Sequence, residues 1–311
     1  MTETPPAAAG EPAGEPPEER QTTPFLVLQF FIFPMAIVAV CVTVFVVFGL
    51  ISAEGKTPRA YLAEVRTGGG LFNIKRWQAA FALANALEAQ KDLAQKDPKL
   101  VEEIAALFEE SKADDPLVRR YLALALGRLG DKRAAPSLRK ALSEATADTD
   151  SQTLIYAAWA LGALGDETAL PDLVKLASSE DAGVRKSAVH AVGVFPGDTA
   201  HAVLTAALAD PVEDVRWNAA IALGRRGDPA ATPVVLRMLD RAYLAGLDVP
   251  APDHKTERLP PDQLEEAMLQ AVSVAAALPD PQVRAALEAL RDKDTSPRVR
   301  EAARVALEAK H

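Results

Sequence analysis

The sequence predicts an all-α chain: a right-handed α-solenoid of about six to seven helical hairpins, preceded by one transmembrane helix. Three observations carry this reading. Six of the ten phenylalanines lie between Phe25 and Phe48, whereas the 60 alanines fall mostly after Ala79. No charged residue occurs from Gln21 to Ala53. From about Ile74 onward the chain repeats itself roughly every 31 residues. Bulky and dense hydrophobicity in one place, small and periodic in another, argues against a single uniform domain.

The first segment, residues 1–24, holds five glutamates, one arginine and six prolines. It cannot bury a core and is expected to be a disordered acidic tail. Residues 25–52 read FLVLQFFIFPMAIVAVCVTVFVVFGLIS. A bilayer core ~30 Å thick needs about 20 apolar residues as a helix, so this run is expected to span it. A cleaved signal peptide is disfavoured, since its charged end is basic and its apolar run only ~7–15 residues. Cys41, the single cysteine, lies inside the span and reads as a small hydrophobe. Gln29 and Pro34 interrupt the span. They are either a tolerated interface residue and a tolerated kink, or a docking surface for another membrane protein.

Basic residues near the span number one on the N-terminal side, Arg20, against Lys56, Arg59 and Arg66 on the other. The positive side faces the cytoplasm. The expected topology is therefore a tail outside and a large domain inside.

Residues 53–73 form a connector. Thr57 to Arg66 can make a short amphipathic helix through Tyr61, Leu62 and Val65, and the glycines at 68–70 then break it as a hinge. The repeat domain is placed at 74–311. Four segments carry it: PLVRRYLALALGRLGD from Pro116, SQTLIYAAWALGALGD from Ser151, AGVRKSAVHAVGVFPGD from Ala182 and EDVRWNAAIALGRRGD from Glu213. Gly127, Gly162, Gly193 and Gly224 are equivalent, at spacings of 35, 31 and 31 residues. Apolar residues such as Val215, Ala219, Ala222 and Leu223 mark one helical face. Gly130, Gly165, Gly197 and Gly227 suit the left-handed turn that ends the first helix. Asp131, Asp166, Asp198 and Asp228 suit the start of the second. Looser copies lie at Lys75–Trp77, around Ala267 to Leu278, and at Arg298–Arg300, the last as a capping helix.

The pattern V-R-x-x-A-x-x-A-L-G-x-L-G-D resembles the short HEAT repeats of the phycobilisome-lyase type. The resemblance spans Ile74 to His311. It implies stacked antiparallel helix pairs, whose alanines let neighbouring layers approach, and a bacterial protein. It says little of function, because such repeats serve scaffolds, regulators and a few enzymes.

Candidate functional residues fall in four groups. Arg119, Arg185, Arg216 and Arg300 recur in the Val-Arg slot, while Leu154 fills it in one unit. They read as an inter-repeat ladder with Asp115, Asp181 and Asp214, or as an anion-binding row. Trp77, Trp159 and Trp217 all lie on first helices, as packing residues or as a ligand-stacking stripe. The isolated histidines, His190, His201, His254 and His311, offer no metal cluster or catalytic set. The insertion 241–262 stretches one spacing to 51 residues, from Gly224 to Ala275. Its Tyr243, Leu244, Leu247 and Val249 either dock a partner or pack on their own repeats.

These features point to a membrane-anchored scaffold that binds a protein partner, such as a subunit of a transporter or envelope assembly. Its expected location is the bacterial inner membrane, with the repeat domain cytoplasmic. No cofactor is expected. A net charge of -9 disfavours nucleic acid. The chain has no His-Glu pair for a deoxyhypusine-hydroxylase-like di-iron site. Two rivals stay open: a bilin-lyase-like enzyme, and a scaffold facing the periplasm.

Overall fold

A computed structural model describes residues 40, 43, 56–68, 76–88, 93–113, 115–145, 147–250 and 256–309. The chain divides into two units, Met1–Gly55 and Lys56–His311. In the first, Val40 and Thr43 are helical. The expected tail, the rest of the span 25–52 including Gln29, Pro34 and Cys41, and the loop residue His254 lie outside the described residues. Among the described residues, no helix is long and apolar enough to cross a membrane.

The second unit is a helical repeat solenoid. Its helices are α1 (Pro58–Thr67), α2 (Arg76–Glu88), α3 (Leu93–Lys96), α4 (Pro98–Glu110), α5 (Pro116–Leu129), α6 (Ala135–Glu144), α7 (Ala147–Leu164) and α8 (Leu170–Leu176). There follow α9 (Ala182–Val192), α10 (Asp198–Ala207), α11 (Glu213–Gly224), α12 (Thr232–Leu239), α13 (Arg241–Ala245), α14 (Pro261–Ala275), α15 (Pro281–Lys293) and α16 (Pro297–Glu308). Six sequential helix pairs follow among the described residues: α2/α4, α5/α6, α7/α8, α9/α10, α11/α12 and α14/α15. The first helices pack on one another in a continuous row from α2 through α5, α7, α9, α11 and α14 to α16.

The turns follow from local chemistry. Gly130, Gly165 and Gly227 take positive φ, where a Cβ would be strained. Asp131, Asp166 and Asp228 then each accept a backbone N–H two residues on, at 2.9 Å. The expectation that these aspartates open the second helix directly needs refining. Each caps a single 3-10 turn, after which the helix proper begins. The fourth differs. Asp198 lies inside α10, and Gly197 at φ 95° precedes it without a side-chain cap. The extra residue in Val194-Phe195-Pro196-Gly197 shifts the register, and Phe195 fills the core at 2% exposure.

Between layers, the equivalent glycines set the distance. A Cβ on Gly127 would stand 2.7 Å from the Trp159 ring and 2.8 Å from Ala160 Cα. One on Gly162 would stand 2.7 Å from Ala191 Cα, and one on Gly193 2.8 Å from Ala222 Cβ. Such gaps are too short for any real side chain, so each glycine marks where two first helices meet backbone to backbone. Leu126, Leu161, Val192 and Leu223, each one residue before that glycine, are fully buried. Burial of a Leu or Val side chain contributes ~1.5–3 kcal/mol.

Helix α1 lies where the sequence predicts a short amphipathic helix in the connector. Thr57 caps it and Gly68, at φ 72°, ends it. Leu62 and Val65 are buried, and Arg76 Nε donates to Val65 O at 2.8 Å. Arg59 pairs with Asp97 and Glu103, and Arg66 with Glu103. The helix thus closes the N-terminal end of the solenoid, and the compact unit starts at Lys56 rather than at residue 74.

The insertion contains α13 and a short antiparallel ribbon, β1 (Asp248–Pro250) with β2 (Thr256–Arg258), in the register Asp248↔Arg258. These are the only strands among the described residues.

Candidate functional site

The recurrent arginines are turn-lacing residues. Arg185 Nη1 donates to the carbonyls of Ser179 and Glu180, both at 2.9 Å. Arg300 Nη1 donates to those of Asp294 and Thr295, and Arg216 Nη1 to that of Asp210. In each case the carbonyl lies five or six residues upstream, in the turn entering the arginine's own helix. Arg119 instead stacks over the Phe108 ring at 5.0 Å. The carboxylates expected as ladder partners do other work. Asp115 and Asp181 cap α5 and α9, and Asp214 pairs with Lys186. Arg185 also holds the Asp210 carboxylate of the adjoining layer through Nε and Nη2, at 2.8 and 3.1 Å, and Arg216 pairs with Glu213, so these guanidinium groups are committed to internal partners rather than to an open anion-binding row.

The insertion residues face inward. Leu244 is fully buried, and Tyr243, Leu247 and Val249 pack partly against the core. The Tyr243 hydroxyl donates to Glu213, and burial followed by that carboxylate raises its pKa. Leu259 N–H donates to Leu247 O at 3.0 Å. Leu244 packs on its own repeats rather than docking a partner, because its side chain offers no area to one. Arg241 explains the arrangement. Its Nε and Nη2 hold the Asp294 carboxylate at 2.9 and 2.7 Å, and that side chain is 2% exposed. Burial opposes ionisation of Asp294, but Arg241 and the Ser296 N–H outweigh it and lower the pKa.

An open groove lies elsewhere, on the row of first helices. A groove of about 500 Å³ crosses four of them. Leu124 comes from α5, Ile155, Tyr156 and Trp159 from α7, Gly183, Lys186, Ser187 and His190 from α9, and Asn218 from α11. Its walls are mostly apolar. The row continues toward the N-terminal end as an aromatic cluster. Tyr121 meets the Phe81 ring edge-on at 5.1 Å and the Trp77 ring at 6.3 Å. Phe81 is 44% exposed.

The polar groups of the groove are held in place. Ser187 Oγ donates to Ile155 O at 2.7 Å, and Asn218 Nδ2 to Asp214 O at 2.7 Å. Lys186 Nζ meets Asp214 at 2.5 Å. Burial against the groove lowers the pKa of His190. A hydrogen bond with Asn218 opposes this, and the nearby charges of Arg225 and Lys186 lower it further. His201 is not part of this site; its Nε2 bridges to Asp228 at 2.6 Å. Of the tryptophans, Trp159 lines the groove and Trp77 joins the aromatic cluster, while Trp217 is partly buried against the core. No group of three metal-ligating side chains occurs among the described residues.

The sequence alone did not single out Leu124, Tyr156, Lys186 or Asn218. A signal existed: residues three and six or seven before each equivalent glycine recur on one face. Leu124, Trp159 and His190 are the first set; Ile155, Tyr156, Lys186, Ser187 and Asn218 belong to the second.

A row of stacked hairpins with this glycine-spaced first helix defines an all-α helical repeat solenoid. A HEAT-repeat model matches residues 140–214 and 192–244. The model of the PBS lyase HEAT-like repeat matches residues 118–144. No curated protein matches the chain. Among solved structures, the CpcE–CpcF complex of phycocyanin lyase from Nostoc sp. is 21% identical, covering 81% of this chain and 95% of that one, with a TM-score of 0.47. The YibA protein of Escherichia coli is 16% identical over 83% of this chain and 84% of its own, at 0.46. An archaeal HEAT-like repeats protein from Thermococcus onnurineus is 14% identical over 82% and 97%, at 0.41.

Proposed function

We propose that the chain is a scaffold that binds a protein partner along its first-helix row and is held at a membrane by residues 25–52. The observation that carries the partner-binding half is the open groove lined by Tyr156 and Trp159. Aromatic side chains held rigidly on a helical surface supply large contact area at low entropic cost. Nothing on the wall is arranged for chemistry. The Ser187 hydroxyl is committed to a main-chain carbonyl rather than to His190. On this reading the chain acts through its surface rather than through catalysis.

The anchoring half rests on the charge-free run from Gln21 to Ala53 and on the basic residues that follow it. It places the solenoid on the cytoplasmic side of a bacterial inner membrane, next to subunits of a membrane complex such as a transporter or envelope assembly. Gln29 and Pro34 are then contacts within the bilayer.

The full chain, extracted in mild detergent, is expected to bring down the same protein repeatedly in mass spectrometry, and Trp159→Ala to lose it. Recovery alone each time sinks the scaffold reading; a coloured or ligand-loaded product would favour a lyase-like enzyme instead. An export-dependent reporter fused after His311 tests the side of the membrane. Activity there would put the solenoid in the periplasm.

A further inference from the structure

The groove is electrostatically unlike the chain that builds it. The protein carries a net charge of -9, yet no carboxylate is among the described residues lining the groove. Its charged and polar wall is made of Lys186, His190, Ser187 and Asn218. Arg225 adds a cation within electrostatic reach of His190. Arg225 is exposed and has no ion-pair partner among the described residues. Asp214 neutralises Lys186 in part, through a pair in which both side chains are nearly half exposed. A pair that open is worth little in water and yields readily to a better-placed anion. At the other end of the groove the wall is apolar and aromatic, and the Tyr156 hydroxyl has no hydrogen-bond partner among the described residues.

These two ends specify a ligand. We infer that the groove binds an extended acidic segment of the partner protein, with one large apolar side chain seated against Trp159 and a carboxylate beside His190, Lys186 and Arg225. The Tyr156 hydroxyl then faces the peptide main chain. The inference rests on the protein-binding reading above and adds the chemistry of what is bound. Charge complementarity of this kind mainly selects the partner and speeds encounter, while the seated side chain holds it. A polyanion such as RNA would use the cations but leave the aliphatic wall of Ile155 and Leu124 without a matching group.

The probe is a library of random twelve-residue peptides displayed on phage, panned on the full chain in mild detergent. Recovered peptides are expected to carry Asp or Glu within a few residues of an aromatic or large aliphatic residue. A synthetic copy of the dominant peptide should quench tryptophan emission on binding. Arg225→Glu and Lys186→Glu should each weaken it about tenfold at low salt. Arg225→Gln should weaken it less, and replacing the peptide's acids by amides should reproduce the loss. Unchanged unfolding midpoints show that these exposed changes spare the fold. Neutral or basic peptides, no peptide, indifference to charge reversal, or tighter binding of a single-stranded oligonucleotide that displaces the peptide would each overturn the inference. Its failure is separable from that of the scaffold reading. If the co-purifying protein stays with the Lys186→Glu/Arg225→Glu chain as well as with the wild type, the scaffold stands and the acidic segment falls.

Discussion

The two faces of the solenoid are held together by different forces. On the first-helix row, Gly127, Gly162 and Gly193 let each helix meet Ala or Trp of the next at contact distance. On the second-helix row the links between layers are largely ionic and wet. Lys140 meets Glu109 at 2.6 Å and Arg139 meets Asp172 at 2.6 Å, all of them more than a third exposed. Packing contributes where water is excluded, whereas an exposed ion pair gains little over its separate hydrated charges. The close row therefore sets the spacing of the layers. That rigid spacing is also what keeps the groove open for a partner.

The comparison breaks most visibly at a glycine. Gly162→Val is expected to cost upward of ~3 kcal/mol, because its Cβ meets the Ala191 backbone and only helix separation relieves the clash. Denaturant unfolding monitored by circular dichroism reads this directly. A midpoint unchanged from wild type would show that the row is not close-packed.

Next comes an ion pair whose carboxylate is buried. Arg241→Ala leaves the Asp294 carboxylate enclosed without its partner and should cost about 3 kcal/mol. The pKa of Asp294 is lowered in the folded state from an ordinary 3.8. Its contribution is therefore fully present above that value and lost only as the pH falls through the lower folded one. The stability gap between wild type and Arg241→Ala should stay constant from pH 7 to about 4 and narrow only in stronger acid. A gap that closed near pH 6 would point to a different group.

A smaller effect on stability, with a large one on binding, is expected at the groove. Trp159→Ala removes partner contact from a half-buried ring whose edge faces Gly127. It should lower stability less than Gly162→Val while abolishing recovery of the partner. Equal loss of both would make Trp159 a packing residue only. Smallest of all, Lys140→Ala on the second-helix row should leave the unfolding midpoint where it was, at high and low salt alike.

Much of this architecture was legible in the chain because it is written at short range. Each first helix, its glycine end and its aspartate cap occupy about sixteen consecutive residues, and every interaction that shapes them reaches only a few positions. Asp198 resisted the pattern because one additional residue before Gly197 moved the turn. The site was less legible. The Val-Arg slot suggested carboxylate partners, since opposite charges are what a sequence displays, and Arg185 does hold Asp210 of the adjoining layer; the carbonyls that Arg185 and Arg300 also hold are present at every residue and leave no mark. The apolar residues of the insertion left open whether they dock a partner or pack on their own repeats, because nothing in their spacing says which way they turn.

The sequence by itself determined the repeat, its period and the glycines that punctuate it, because helix periodicity and turn geometry depend on neighbours along the chain. Only the tertiary structure decided what lies across the layers: that Leu124, Trp159, His190 and Asn218 share one groove, and that Arg241 reaches Asp294, 53 residues away. Those groupings run perpendicular to the chain. They exist only once the layers have stacked at the distance the glycines allow.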